Sequence, residues 1–306
     1  MKFSIVLLLA AFSASITNAD QLTEDGMARA VAPGAKVELL ASGFDFVEGP
    51  AWNPRGFWVF SDIPGDSLHK ITPQGKTEVI RKPTSHSNGN AYDAQGRLVS
   101  CEHGPARRVS RKLPNGIFDT LADRYEGKRF NSPNDLAIKS DGSIYFTDPT
   151  YGVNRNELEL DFRGLYRLFP DGRVELLDNT WTQPNGICFS PDERTLYVND
   201  SQKGEIFRFD VDASGSLSAK TLLATIPKPG DPDGMKCDQN GTLYVTGPGG
   251  VWIFAPRGAL LGKIATPKNP ANLAFGGADG KTMLLTARDS IYSVKVKVPG
   301  ARFSTP

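Results

Sequence analysis

A six-bladed β-propeller, all-β and built of four-stranded antiparallel blades, is the architecture this sequence predicts. One template, two apolar strands around a tight turn, occurs six times in the chain. The copies recur at a period of roughly 40 to 50 residues, the range of four-stranded blades. No stretch sustains a helical period, so helices should be few. Gly (31) and Pro (22) sit between hydrophobic runs rather than in low-complexity blocks, as many short strands joined by turns require.

The chain begins with Lys2, an apolar run from Phe3 to Phe12, and small or polar residues up to Thr17-Asn-Ala19. That order predicts a secretory signal peptide over 1–19 and export to the periplasm or the medium. The run is far short of the ~20 apolar residues that span a bilayer, and no later segment is apolar enough to do so. Residues 20–32 read as an N-terminal extension and 33–300 as a single propeller domain. A net charge of +1 gives no general reason to expect nucleic acid or an anionic membrane surface.

The strand expected at Lys36 to Leu40 has no hairpin partner and precedes the first repeat. Its natural place is the outer edge of the last blade, where closing the ring removes an exposed sheet edge. The six repeats then open at Glu48-Gly-Pro-Ala-Trp, Asn88-Gly-Asn-Ala-Tyr, Asn134-Asp-Leu-Ala-Ile, Asn185-Gly-Ile-Cys-Phe, Asp233-Gly-Met-Lys-Cys and Ala271-Asn-Leu-Ala-Phe. Turns follow at Asn53 to Gly56, Asp93 to Gly96, Ser140 to Gly142, Ser190 to Glu193, Asp238 to Gly241 and Ala278 to Gly280. Asp, Asn and Gly there supply the local hydrogen bonds and positive φ of tight hairpins. Returning strands match as well, from Phe57 to Phe60 in the first repeat to Thr282 to Leu285 in the last. Third and fourth strands are expected at places such as Gly164 to Leu168 and Arg173 to Leu177. Only Ala122 to Lys128 is a candidate for a helical turn.

Three cysteines, Cys101, Cys188 and Cys237, lie in or at the ends of expected strands. Their odd number argues against a disulfide framework, and with no CxxC or Cys/His cluster there is no zinc pattern. Each reads as a small buried hydrophobe.

The first strand of each propeller blade lines the central channel, so residues opening those strands converge on one axis. That column is Glu48, Asn88, Asn134, Asn185, Asp233 and Ala271. Oxygen donors gathered without thiol or imidazole suit a hard cation, and calcium accepts an irregular oxygen shell best. Magnesium, manganese and zinc are alternatives as supporting ions.

Several runs resemble the SMP-30/gluconolactonase/luciferin-regenerating-enzyme family, and its bacterial gluconolactonase-like branch above all. They are Val47 to Trp52, Asn131-Ser-Pro-Asn-Asp135, Phe146 to Gly152, Gln183-Pro-Asn-Gly186, Phe189 to Asp192 and Pro232-Asp-Gly234. The resemblance implies that Glu48, Asn185 and Asp233 ligate a metal. Asn134 matches a position that holds metal or substrate, depending on the member. The animal branch carries an arginine two residues before that asparagine. Here the place is Ser132, which points to different sugar recognition, with Arg129 as a substitute. The activity implied is that of a calcium-dependent lactonase acting on a small sugar-type lactone.

In that scheme calcium polarises the lactone carbonyl and Asp233 is the catalytic carboxylate, as general base or as nucleophile. Second strands return to the mouth, which brings in Glu102-His-Gly104, Pro149-Thr-Tyr151, Asp200 and Gly247 to Gly250. His103, Tyr151, Asn88 and Asn134 are candidate substrate contacts; His86 is a weaker one and His69 reads as structural. Asp62 and Asp148 read as residues that tie turns together. No GxSxG elbow for a serine hydrolase is present, and no helix or Lys-Ser/Thr follows the glycine-rich run. The competing expectations are a phosphotriesterase-like or other ester hydrolase on the same site, and a non-enzymatic ligand-binding propeller with structural calcium. The sequence assigns no oligomeric state.

Overall fold

The computed structural model describes residue 21 and residues 23–301, so the leader expected over 1–19 lies outside the described residues. Six four-stranded antiparallel sheets follow one another along the chain. Blade 1 comprises Val47–Asn53, Phe57–Asp62, Ser67–Ile71 and Thr77–Arg81, and blade 2 comprises Ser87–Tyr92, Leu98–Glu102, Arg108–Lys112 and Phe118–Ala122. Blade 3 is Leu136–Ile138, Ile144–Asp148, Gly164–Leu168 and Val174–Asp178; blade 4 is Pro184–Phe189, Thr195–Asp200, Glu205–Asp210 and Thr221–Thr225. Blade 5 is Met235–Cys237, Leu243–Gly247, Gly250–Phe254 and Leu260–Ala265. Blade 6 takes Asn272–Gly276, Thr282–Ala287 and Ser290–Lys295 from the end of the chain and Glu38–Ser42 from its beginning. The closing strand pairs antiparallel with Ser290–Lys295, Leu39 opposite Tyr292, and lies two residues beyond the expected span. First strands touch their neighbours around the whole ring, including blade 6 against blade 1.

The core is distributed between blades. Six apolar clusters fill the six interfaces, for example Val99, Cys101 and Val109 against Phe146 and Tyr166, or Trp58 and Phe60 against Leu284 and Ile291. This explains why second strands such as Leu98–Glu102 and Leu243–Gly247 are buried at every position, although an isolated sheet would leave alternate residues wet. Fourth strands such as Thr77–Arg81 face solvent, and their composition is correspondingly polar.

Two elements differ from expectation. Residues 23–30 form a helix in the extension, with Ala30 and Val31 buried against blades 5 and 6. Gly26 meets the Lys263 backbone there so closely that a Cβ would stand 2.3 Å from its nitrogen. The segment from Ala122 to Lys128 is not helical: Arg124–Tyr125 pairs with Lys128–Arg129, and Glu126 and Gly127 take positive φ between them. Positive φ at both central residues makes a tight hairpin, not a helical turn. The cysteines are free and buried, with Cys188 and Cys237 Sγ atoms 3.9 Å apart on neighbouring first strands.

Candidate functional site

The six column residues do open the first strands, and the chain aims them by two devices. In blades 1, 2 and 4 the pairing with the second strand slips between Glu48 and Ala51, Ser87 and Asn90, and Pro184 and Ile187. Such bulges re-aim side chains next to functional sites. Glycine also follows the column residue in blades 1, 2, 4 and 5, because the next blade passes there, with its backbone at Gly49, Gly89 and Gly186 and with the Asn272 side chain at Gly234. A Cβ on Gly186 would stand 2.1 Å from the Asp233 carbonyl oxygen. Column carbonyls are held in turn by side chains on the preceding blade's second strand. Ser61 donates to Asn88 O, Thr147 to Asn185 O, Asn199 to Asp233 O and Thr246 to Ala271 O.

Within the ring, Asn88 Nδ2 donates to Asn134 Oδ1 (2.8 Å), and Asn134 Nδ2 donates to Asn185 Oδ1 (2.6 Å). The Asn185 side chain faces the Asp233 carboxylate and favours its charged form. Burial, followed by the charges of Glu48 and Asp135, holds Asp233 well above the carboxylate range. Burial pushes Glu48 up to about 7, opposed by the Gly49 N–H (2.6 Å) and reinforced by Asp135. Among the described residues neither Glu48 nor Asp233 forms an ion pair. Asn88 Oδ1 is buried without a hydrogen-bond partner. Two crowded carboxylates, an orphaned amide oxygen and two further carboxamides are chemistry that suits a hard cation with an oxygen shell. No group of three or more His, Cys, Asp or Glu side chains poised for a metal occurs among the described residues.

His103, at the end of blade 2's second strand, is buried with Nε2 at 3.2 Å from Asn88 Nδ2 and 3.1 Å from Asn134 Oδ1. Burial pushes its pKa down to about 4, so the ring is neutral near pH 7. Tyr151 reaches the Asn185 and Ser201 side chains, and burial with the Asp233 charge raises its hydroxyl to about 12. Arg129 does not join this group: its guanidinium donates to the carbonyls of Pro105 (2.5 Å) and Ala106 (3.2 Å). His86 Nδ1 is occupied by Ile63 O, and His69 stacks on Phe60 as a structural residue.

Asp62 and Asp148 tie turns as expected, taking the N–H groups of Asp45 and Phe46 and of Asn131 and Ser132. Asp200, expected at the mouth, does the same for Thr182 and Gln183. Glu102, also expected there, is buried between Arg81, Arg108 and Ser110.

Beneath the ring lie Asp135, Asn272 and Lys236, which the column reading left out. Asp135 is 3.5 Å from Asn272 Nδ2 and 3.6 Å from Lys236 Nζ. Asp135 and Asn272 occupy the places where the other blades have glycine, so their side chains fill the axis. Farther along the same strands a cavity of about 350 Å³ is lined by Trp52, Tyr92, Ile138, Phe189, Cys237 and Phe275. It lies at the opposite end of the channel from the column.

Residues 46–289 match the family model described as the SMP-30/gluconolactonase/LRE-like region. The chain is 35% identical over 292 residues to a gluconolactonase of Zymomonas mobilis, covering 86% of this chain and 82% of that one. A solved gluconolactonase from Xanthomonas campestris superposes with a TM-score of 0.81 at 36% identity, over 87% of this chain and 91% of that one. A solved luciferin-regenerating enzyme, 22% identical, superposes with a TM-score of 0.76 over 88% and 98% of the two chains and supports the fold alone.

Proposed function

The chain belongs to the SMP-30/gluconolactonase/LRE-like family, and on that footing we propose that it hydrolyses a small sugar-type lactone at the axial ring. The observation that carries the proposal is the convergence of Glu48 and Asp233 with the hydrogen-bonded series Asn88, Asn134 and Asn185. Glu48, Asn134, Asn185 and Asp233 are the residues that would hold a divalent cation, calcium by preference. Bound there, the ion would supply Lewis acidity to the lactone carbonyl.

Asp233 is the group placed to move a proton. As a residue it is half-buried, whereas Glu48 is buried. A divalent cation bound beside Asp233 would favour the charged form of this otherwise raised carboxyl, and as base it would take the proton of a water adding to the carbonyl carbon and return it to the ring oxygen when the C–O bond breaks. A carboxylate that attacks the carbonyl itself is the variant of this scheme, with the acyl group then released by water. Asn185, facing Asp233, and the Asn134 amide that donates to it keep the carboxylate oriented. Asn88, His103 and Tyr151 present neutral polar groups to the rest of the substrate.

A panel of glucono-1,5-lactone, an unsubstituted lactone, an aryl ester and a phosphotriester tests the reaction class. Sugar lactone hydrolysis should exceed the others in kcat/KM, after correction for spontaneous ring opening. A phosphotriester preferred over every lactone would contradict the proposal. So would a folded, calcium-loaded protein that binds ligand without turning any of them over.

A further inference from the structure

The first strands of the six blades, taken with the residues that open them, carry four charged side chains: Glu48, Asp135, Asp233 and Lys236. Glu48 and Asp233 belong to the ring. Asp135 follows Asn134, at the place where blades 1, 2, 4 and 5 have glycine, and is buried on the axis. Its carboxylate lies hard against blade 2, where a Cβ on Gly89 would stand 2.7 Å from Oδ1. Three contacts hold it there. Oδ1 accepts the Leu136 N–H (2.9 Å), and Oδ2 is 3.5 Å from Asn272 Nδ2 and 3.6 Å from Lys236 Nζ. Lys236 also lines the cavity at the opposite end of the channel, and 26% of its side chain stays exposed, against 3% for Asp135.

The charges of this pair act on the ring. Asp135 opposes the charged forms of both Glu48 and Asp233, whereas Lys236 favours that of Glu48. Asn272 hydrogen-bonds Glu48 and also approaches Asp135, so the pair and the ring share a partner.

We infer that the Asp135–Lys236 pair sets the ionic charge that the ring accepts, holding it to a divalent cation against a trivalent one, with Lys236 as the specificity-determining residue. The inference rests on the reading of the ring as a cation site, not on the reaction carried out there. Three acids against one base leave the axis with two formal negative charges, which a divalent cation cancels. A trivalent ion would leave one positive charge over, and net charge in a buried site is costly. Without Lys236 the balance would instead suit the trivalent ion; without Asp135 both ions would be in excess, the trivalent one more so. A buried ion pair adds little net stability compared with apolar packing, so the effect of this one is to be sought at the ring rather than in the melting temperature.

The test is calorimetric titration of the metal-free protein with calcium and with terbium(III), in wild type, Lys236→Met, Lys236→Arg, Asp135→Asn and the double variant Asp135→Asn/Lys236→Met. Asp233→Asn reports whether the binding measured is at the ring. Lys236→Met should raise the ratio of terbium to calcium affinity about tenfold, and Asp135→Asn should lower it by a similar factor, as expected for one unit charge acting across a partly hydrated site. The double variant has the wild-type balance again, and its ratio should return to within about threefold of wild type. Lys236→Arg keeps the charge and should keep the ratio. Thermal unfolding identifies any variant that fails to fold, and Asp135→Asn with the double variant carries the test if Lys236→Met is that one. If the pair merely braces the site, both affinities fall together and the double variant is no better than the singles. That outcome, or an unmoved ratio in either folded single variant, overturns the inference alone. Wild type with no Asp233-dependent calcium binding overturns the cation reading of the ring, and the inference with it.

Discussion

Replacing Gly186 by alanine places one methyl group in the tightest gap between blades 4 and 5. The added Cβ would stand 2.1 Å from the Asp233 carbonyl oxygen, 2.9 Å from Asn199 Nδ2 and 3.0 Å from the Gly234 Cα. Carbon atoms of this kind do not approach closer than about 3.0 Å, so the strand opening at Asp233 must yield by about 0.9 Å. Its partners resist: Asn199 donates to that same carbonyl, and Asp233 N donates to Thr246 O. Overpacking of this sort costs about 1–3 kcal/mol. For a domain of this size that is a fall in melting temperature of roughly 2–4 °C per kcal/mol.

The functional cost should be larger than the thermal one. A displacement of about 1 Å at a reacting group costs on the order of 100-fold in rate. Gly104→Ala is the control, since nothing lies within 4 Å of a Cβ there and its φ is not in the positive range. The assay is lactone hydrolysis and a calorimetric scan on wild type and both variants. Wild-type turnover and melting temperature in Gly186→Ala would refute the claim that glycine is required by the approach of neighbouring first strands.

Three further outcomes follow from named contacts. Glu102→Gln should lower the urea midpoint by an amount corresponding to about 1–3 kcal/mol, because it removes the buried carboxylate that joins Arg81 and Arg108, both partly hydrated. Burial acts to raise the Asp66 carboxyl, but hydrogen bonds from His86 N, Thr84 N and the Thr84 hydroxyl outweigh it and hold it below the ordinary range. Its contribution is therefore complete above the unfolded pKa and lost as pH falls through the folded one. The stability gap between wild type and Asp66→Asn should accordingly narrow below about pH 4 in denaturant titrations. All three thiols should react with an aromatic disulfide reagent in denaturant and none rapidly in the native protein, since Cys101, Cys188 and Cys237 are free and buried, with burial raising the Cys101 thiol.

The column was legible because each of its residues opens a copy of the same template. A template repeated around an axis turns a position in sequence into a position in space. The last blade's borrowed strand was legible for a related reason, an apolar run without a partner. The repeat concealed what departs from it. Asp135 and Asn272 stand where the other blades carry glycine, so the same irregularity that hid them from a pattern search sends their side chains into the axis. Loop residues answer to long-range partners: Tyr151 reached the ring as expected, whereas Arg129 and Asp200 were claimed by backbone groups that no spacing reveals. The helix at 23–30 is too short to show a period, and it is settled by packing on blades 5 and 6 rather than by propensity.

The measurement that bears most directly on the account is glucono-1,5-lactone hydrolysis by the protein as isolated with calcium, after chelation, and with calcium restored. Asp233→Asn is run alongside, with folding confirmed by circular dichroism. The account predicts turnover that disappears on chelation, returns with calcium, and falls by at least about 100-fold in the variant. Turnover indifferent to chelation, or undiminished in Asp233→Asn, would contradict the assignment of chemistry to the axial ring.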